Sequence, residues 1–451
     1  MNCFYKLSRK YFNYYLDYHK DKAVNKILKK VTSLNYQNLH QYGLASTPDF
    51  LHPESLYQDP HYAQTFVNEV IACCLDKSLL DNPLIMKESK EMAKIYLKSI
   101  IIGAYSDSNG VAMIRENFKN RIEELEGVSG FDIRSIFLTS GSINALDFVC
   151  TTIFQSGDQI MIPNPLNPAI LNYNRTKDIV NIEYRVDNDG PLDFFHLQKL
   201  YNRHVKLAPI KAILFSNPHE PTGKVYSRKE VEDVIKFCYE NDVVLIAWEA
   251  SRQMIHNPEK TSFHSTLRVL SEMDEPIKST VELFDIYSSS KGFPNLASIR
   301  SACFTMVNID PQVHNEIVKY KSIDLCSSIP SQIVFDLIMN RSMYKVLGKE
   351  FENKYEASIA YSKQKLINTK NNILNKKSLY IDVKDIDSGY NLFARLKHID
   401  PNSFIRNYYK EYNEGLVSPG TLYGSENEEY VNILLNADGD YGFLESKNIL
   451  I

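Results

Sequence analysis

Between residues 135 and 305 the chain alternates short apolar runs with amphipathic stretches, and this alternation restricts the fold more than any other feature. The runs are SIFLT (135–139), QIMIP (159–163), VNIEYRV (180–186), KAILF (211–215), VVLIA (243–247), FDIYS (284–288) and SACFT (301–305). Segments such as SRKEVEDVIKFCYEN (227–241) lie between them, with apolar residues at three- and four-residue spacing. Strand-length runs alternating with helical patterns predict a mostly parallel sheet covered by helices on both faces. Ligands of such sheets bind beyond the carboxyl ends of the strands. VVLIAWEAS (243–251) therefore stands out, because Trp248, the sole tryptophan in 451 residues, falls where that strand should end.

The flanks differ. Residues 1–100 are mostly helical in pattern, 345–376 read as one lysine-rich helix, and 377–436 return to the short strands SLYIDV, GYNLFARL and YVNILL. The chain is too long for one ordinary core. Its organisation reads as an arm and part of a small domain (1–100), a large α/β domain (101–340), and a linking helix with the rest of a small α+β domain (341–451). A cleft between the two domains is the default ligand site.

Composition narrows the function classes. Lys+Arg of 51 against Asp+Glu of 55 gives a net charge of −4 without long runs of one sign, which argues against nucleic acid or an anionic membrane as partner. No apolar run approaches the roughly 18 residues of a transmembrane helix. Seven cysteines, at Cys3, Cys73, Cys74, Cys150, Cys238, Cys303 and Cys326, show neither C-x-x-C nor histidine partners at metal spacing. They read as reduced thiols of an intracellular protein, with no metal. The start, MNCFYKLSRKYFNYYL, has Lys6, Arg9 and Lys10 and no acid before Asp17. It reads either as an N-terminal arm or as a mitochondrial presequence, leaving cytoplasm and mitochondrion both open.

Several segments together carry a resemblance. From about Gly43 to Leu435, the motifs GAYSDSNG (103–110), IRENF (114–118), SNPHEPTGKV (216–225), TSFHSTLRVLSEM (261–273), SSSKGF (288–293), LCSSIP (325–330) and LVSPGTLYG (416–424) follow in order. In this the chain resembles the alanine aminotransferases, fold-type I enzymes that depend on pyridoxal phosphate. The resemblance implies a seven-stranded large domain, that cofactor and a homodimer. It makes Lys291 the Schiff-base lysine, whose amine would hold the cofactor and shuttle a proton. It makes Ser288, Ser290, Arg300 and the strand-to-helix loop around Gly141 and Ser142 the cup for the cofactor phosphate. Tyr105 would reach that phosphate from the second subunit.

Set against the same family, other contacts are missing. Ile143 replaces a cup serine, and Asn167 replaces the aromatic residue that stacks on the ring. Trp248 stands for the aspartate that holds the ring nitrogen protonated, and Ser251 for a tyrosine that bonds the ring hydroxyl. Glu249 is no substitute acid, because neighbouring strand residues point to opposite faces. Glu220 stands for the asparagine that bonds the same hydroxyl, where a carboxylate would be repulsive. Asn432 stands for the arginine that receives the substrate carboxylate. Only about fifteen residues follow that strand, so the resemblance implies a shortened or missing last helix.

Loss of the nitrogen-binding acid alone removes several orders of magnitude in rate. The leading expectation is therefore a degenerate aminotransferase, a structural or regulatory subunit or binding scaffold, in which the indole fills the ring site and pyridoxal phosphate binding is in question. One alternative is an active pyridoxal-phosphate enzyme of altered specificity. The other is a chain that keeps only the anion cup for a phosphorylated ligand. Recruitment to a larger assembly is a further expectation.

Overall fold

The computed structural model describes residues 61–187, 190–293, 296–376, 378, 380–411, 417–424, 429–435 and 441–444. The expectations for an arm or presequence, for Cys3 and for the end of the chain lie outside these residues.

All seven apolar runs are strands: β1 (Ile136–Thr139), β2 (Gln159–Asn164), β3 (Val180–Arg185), β4 (Ile210–Ser216), β5 (Val244–Trp248), β6 (Leu283–Ser288) and β7 (Ala302–Val307). They form one sheet in the order β1-β7-β6-β5-β4-β2-β3. Only β7 runs against its neighbours, pairing antiparallel with β1 and β6. Helices precede and connect the strands: α1 (Tyr62–Leu75), α2 (Lys87–Ser99), α3 (Ala112–Glu126), α4 (Ser142–Ile153), α5 (Pro168–Thr176), α6 (Phe194–His204), α7 (Arg228–Asn241), α8 (Thr266–Ser271) and α9 (Ile277–Thr280). The chain continues through α10 (Pro311–Asp324), α11 (Ile329–Met339), the long α12 (Lys349–Asn375) and α13 (Pro401–Glu411). The start of α7 is fixed by a capping box: Ser227 accepts from the backbone of Glu230, whose carboxylate accepts from the backbone of Ser227.

A second sheet follows α12: β8 (Ile381–Asp382), β9 (Asn391–Leu396), β10 (Val417–Pro419) and β11 (Tyr430–Leu434), all antiparallel in the order β10-β11-β9-β8. β10 lies within LVSPGTLYG and was not legible as a strand, since three residues ending in proline carry no alternation. Its core draws on Met254 and on residues between Ile373 and Leu444.

The period-two pattern of β5 divides the larger core. Leu245 and Ala247 belong to an apolar cluster that also takes in α1, α2, α7 and α11, while Ile246 and Trp248 face the cluster built with α4 and α5. The helices α1 and α2 thus bury Phe66, Val67, Val70, Met92 and Tyr96 with the first of these clusters, apart from the core of the second sheet. Of the cysteines, Cys73, Cys74, Cys150, Cys238 and Cys303 are buried free thiols, and Cys326 is a half-buried one. Among the described residues no helix is long and apolar enough to cross a membrane.

Helix α11 is apolar nearly all round, yet it buries Asp336 completely. The carboxyl accepts from the Tyr96 hydroxyl at 2.8 Å and from Asn117 Nδ2 at 2.9 Å, which ties α11 to α2 and α3. Burial outweighs these bonds and pushes its pKa up from 3.8 to about 7. An acid whose folded pKa is raised stabilises the fold fully below its unfolded pKa, and that contribution is lost as pH rises through the folded value. Between pH 5 and pH 8 the wild type is expected to lose about 2–3 kcal/mol of stability that Asp336→Asn does not lose, measured by urea unfolding of both proteins.

Candidate functional site

The carboxyl ends of β1, β4, β5 and β6 lie at one edge of the larger sheet, and the loops leaving them build the site. After β1, Gly141 turns the chain at φ 93° and caps α4, whose N-terminus has no side-chain cap. A Cβ on Gly141 would stand 2.5 Å from Arg300 Nη2 and 2.9 Å from its Cζ, so the guanidinium lies directly over the turn. Arg300 is exposed and adopts a left-handed conformation (φ 57°), which aims it back across the loop. Ser288, at the end of β6, accepts from the backbone N–H of Ser290 at 3.1 Å. The Ser290 hydroxyl is buried and has no hydrogen-bond partner among the described residues. Ser142 opens α4 and is half-buried. A helix N-terminus, an orphaned hydroxyl and a guanidinium are the donor set that a phosphate group requires. Tyr105 is 80% exposed and stands outside this cup within the single chain.

Beside the cup the chemistry changes. Trp248 ends β5 with only 3% of its surface exposed and shares its apolar cluster with Leu166, Ile170, Phe284 and Ile286; Ile143, in the first turn of α4, packs against that cluster. The indole N–H has no hydrogen-bond partner among the described residues, a burial that indoles rarely show. Its neighbour Glu249 points to the other face. There its Oε1 accepts from the Thr266 N–H at 2.7 Å and its Oε2 pairs with Arg252 at 3.3 Å. Arg252 also pairs with buried Glu126 at 2.6 Å, and Ser265 donates to the other oxygen of Glu126 at 2.5 Å. Burial, reinforced by nearby Asp285, raises the Glu249 carboxyl well above the usual range. Burial likewise pushes Asp285 up to about 7, although the Tyr287 hydroxyl donates to it at 2.6 Å. These acids brace the back of the sheet and do not face the cup.

Four sequence-singled residues converge on the turn after β4. Glu220 accepts from Ser251 Oγ at one oxygen and from Asn167 Nδ2, at 3.3 Å, at the other. Lys291 Nζ lies 3.8 Å from the first oxygen, forming an ion pair with 22% of the lysine and 10% of the glutamate side chain exposed. Asn167 is held in place by its second task, since its Oδ1 caps α5 by accepting from Ala169 N at 2.9 Å. Burying a carboxylate without partners is prohibitive, so these donors make Glu220 tolerable here.

Sequence reasoning did not single out Tyr390, which precedes β9. Lys291 Nζ donates to its hydroxyl and also sits 4.7 Å from its ring centre. No local signal marks it, because the two residues are 99 positions apart and GYNLFARL reads as an ordinary strand. Only a small cleft of about 10 Å³ lies beside it, lined by His219, Glu220, Pro221, Gly223 and residues 388–391. Burial, with Lys224 nearby, pushes His219 down to about 3, so its ring is neutral. Asn432, on β11, is buried; its Nδ2 donates to Asn391 at 3.3 Å and approaches Ser418 Oγ at 3.5 Å. Among the described residues no group of three or more His, Cys, Asp or Glu could hold a metal ion.

Comparisons with known proteins agree with this architecture. Residues 78–426 match the family described as aminotransferase class I and II. Alanine aminotransferase 2 of Xenopus laevis is 31% identical over 285 residues, covering 61% of this chain and 53% of its own length. Glutamate–glyoxylate aminotransferase 1 of Arabidopsis thaliana is 31% identical over 301 residues, covering 64% and 61%. The chain therefore spans about half to three fifths of the length of these relatives. Among solved structures, a tyrosine aminotransferase from Leishmania infantum superimposes with a TM-score of 0.64 at 15% identity, covering 85% of both chains. An alanine aminotransferase from Pyrococcus furiosus gives 0.63 at 18%, covering 86% of this chain and 95% of its own.

Substituting Gly141 tests the cup directly. Gly141→Ala forces a non-glycine residue to φ 93° and displaces the Arg300 guanidinium. It is expected to cost about 1–3 kcal/mol, read as a lower urea midpoint with an unchanged slope.

Proposed function

This chain belongs to the class I and II aminotransferases, and we propose that it keeps their scaffold while having lost transamination, acting as a structural or regulatory subunit or a binding scaffold. The family depends on pyridoxal phosphate, which supplies an electron sink when bound. The two ends of the site differ in how well they suit it. The phosphate end fits: Gly141, Ser142, Ser288, Ser290 and Arg300 gather as an anion cup. The ring end does not fit. An indole stands in place of the nitrogen-binding acid, and a carboxylate stands in place of the neutral amide facing the ring oxygen.

The observation that carries this reading is the ion pair of Lys291 with Glu220, 3.8 Å apart. A Schiff base needs a neutral amine, whereas the buried Glu220 carboxylate needs the cation. Ser251 and Asn167 donate to the same carboxylate, so three of the departures from the family pattern form one hydrogen-bonded unit. In this reading their substitution is a coordinated replacement. Asn432 adds that no guanidinium would meet a substrate carboxylate from β11.

A homodimer is part of the proposal, since Tyr105 serves the cup only when a second copy supplies it. Ile101, four residues earlier in the chain, is likewise exposed, at 77%. The retained Ser288, Ser290, Lys291 and Arg300 favour a second reading, an active enzyme of altered specificity.

Mixing the purified protein with pyridoxal phosphate separates the two. The expected result is no Schiff-base absorption band and alanine–2-oxoglutarate turnover several orders of magnitude below that of an active aminotransferase. A band that disappears in Lys291→Ala, together with turnover, establishes the second reading instead.

A further inference from the structure

We propose that Tyr390 is an internal stopper, carried on the second sheet, that covers the Lys291 amine and holds it in an ion pair whether or not a ligand is offered. The proposal deepens the loss-of-transamination reading but rests on a separate contact, made by a residue outside the substituted set.

The stopper stands on how its segment is held. Residues 386–391 approach the larger sheet's loops more closely than a loose lobe would. Gly223, at φ 69°, has no room for a Cβ, which would lie 2.5 Å from the Ser388 carbonyl oxygen. Ser388 donates to the Gly223 carbonyl from both its N–H, at 3.1 Å, and its hydroxyl, at 3.2 Å. Gly389 N–H donates to the Met254 carbonyl at 3.0 Å, and the His256 N–H to the Asp387 carbonyl at 2.8 Å. The His256 ring lies 3.2 Å from the Ile386 carbonyl through Nδ1 and 2.6 Å from the Gly389 carbonyl through Nε2. From α12, Lys370 donates to the Ile386 carbonyl at 3.0 Å.

These bonds fix the backbone of Tyr390 without help from Lys291. The phenol is thereby delivered to the amine as a pre-positioned partner, with little further ordering cost. At the amine, two interactions act together. The hydroxyl accepts from Nζ and the ring lies 4.7 Å from it, while Glu220 supplies the charge from the turn after β4. An approaching carbonyl compound must displace the phenol and break the ion pair before it reaches nitrogen lone-pair density. Opening the two sheets apart would expose the amine only by breaking the whole set of bonds at 386–389. The stopper therefore opens by rotation of the Tyr390 side chain alone.

The reactivity of the Lys291 amine tests this without the cofactor. The full chain is treated with formaldehyde and cyanoborohydride, and methylation of each lysine is followed over time by peptide mass spectrometry. Lys87 and Lys349, with side chains 83% and 81% exposed and only solvent-screened ion pairs to Glu91 and Glu352 on their own helices, serve as internal standards. In the wild type, Lys291 is expected to react at least about tenfold more slowly than these standards, the factor set by a hydrogen bond to a charged group. Tyr390→Ala is expected to bring it within about threefold of them, and Tyr390→Phe, which keeps the ring, to fall between.

Circular dichroism checks that the variants are folded. Should Tyr390→Ala fail to fold, Tyr390→Phe and the wild-type rate still decide the matter. Wild-type Lys291 reacting as fast as Lys87 overturns the proposal, as does a folded Tyr390→Phe with an unchanged rate. Transamination by the wild type would overturn the reading of lost activity and, with it, the claim that Tyr390 keeps the amine covered when a ligand is offered. A fast-reacting amine with no turnover overturns the stopper alone.

Discussion

A carboxylate placed inside a protein must find donors and a cation, and at Glu220 that requirement organises the whole site. Ser251 and Asn167 come from two different loops to donate to it, and Lys291 arrives from a third. Each of these residues in isolation looks like a change at a ligand contact. Together they satisfy one buried charge with the chain's own groups. The Lys291 amine thus has an intramolecular partner in Glu220. Tyr390 completes the arrangement from the second sheet.

Much of this architecture is legible in the residues, for identifiable reasons. Strands buried on both faces read as unbroken apolar runs, and all seven runs are strands of the larger sheet within a residue or two. The long lysine-rich pattern near 345–376 is the helix α12. The prediction that Glu249 points away from Trp248 follows from strand geometry alone, and Glu249 indeed pairs with Arg252 and Thr266 on the opposite face.

What stayed hidden depends on contacts between distant segments. Tyr390 belongs to no motif, and only the fold brings it to Lys291. The hydrogen bonds linking Asn167 and Ser251 through Glu220 are equally invisible, because the three residues are far apart in the chain and no spacing signals their contact. The buried acids Glu126, Asp285 and Asp336 show no pattern either: one ends a charged helix, one lies in a strand, and Asp336 lies in a helix that is covered nearly all round. Short β10 escaped for want of length.

The hydrogen bonds of Glu249 to Arg252 and Thr266 have a bearing on the indole one residue away. Strand β5 is fastened on its rear by a polar clasp in which Glu249 bonds to Thr266 of α8 and to Arg252, and Arg252 pairs with Glu126 of α3. A strand pinned in this way cannot slide along its neighbours, since one residue of slippage would bring Glu249 into the hydrocarbon layer and turn Trp248 toward the clasp. The indole is thus held at its depth by hydrogen bonds acting from behind the sheet. Reshaping the mouth of the site by substitution at 248 alone would leave that fastening, and so the frame around the vacated space, intact.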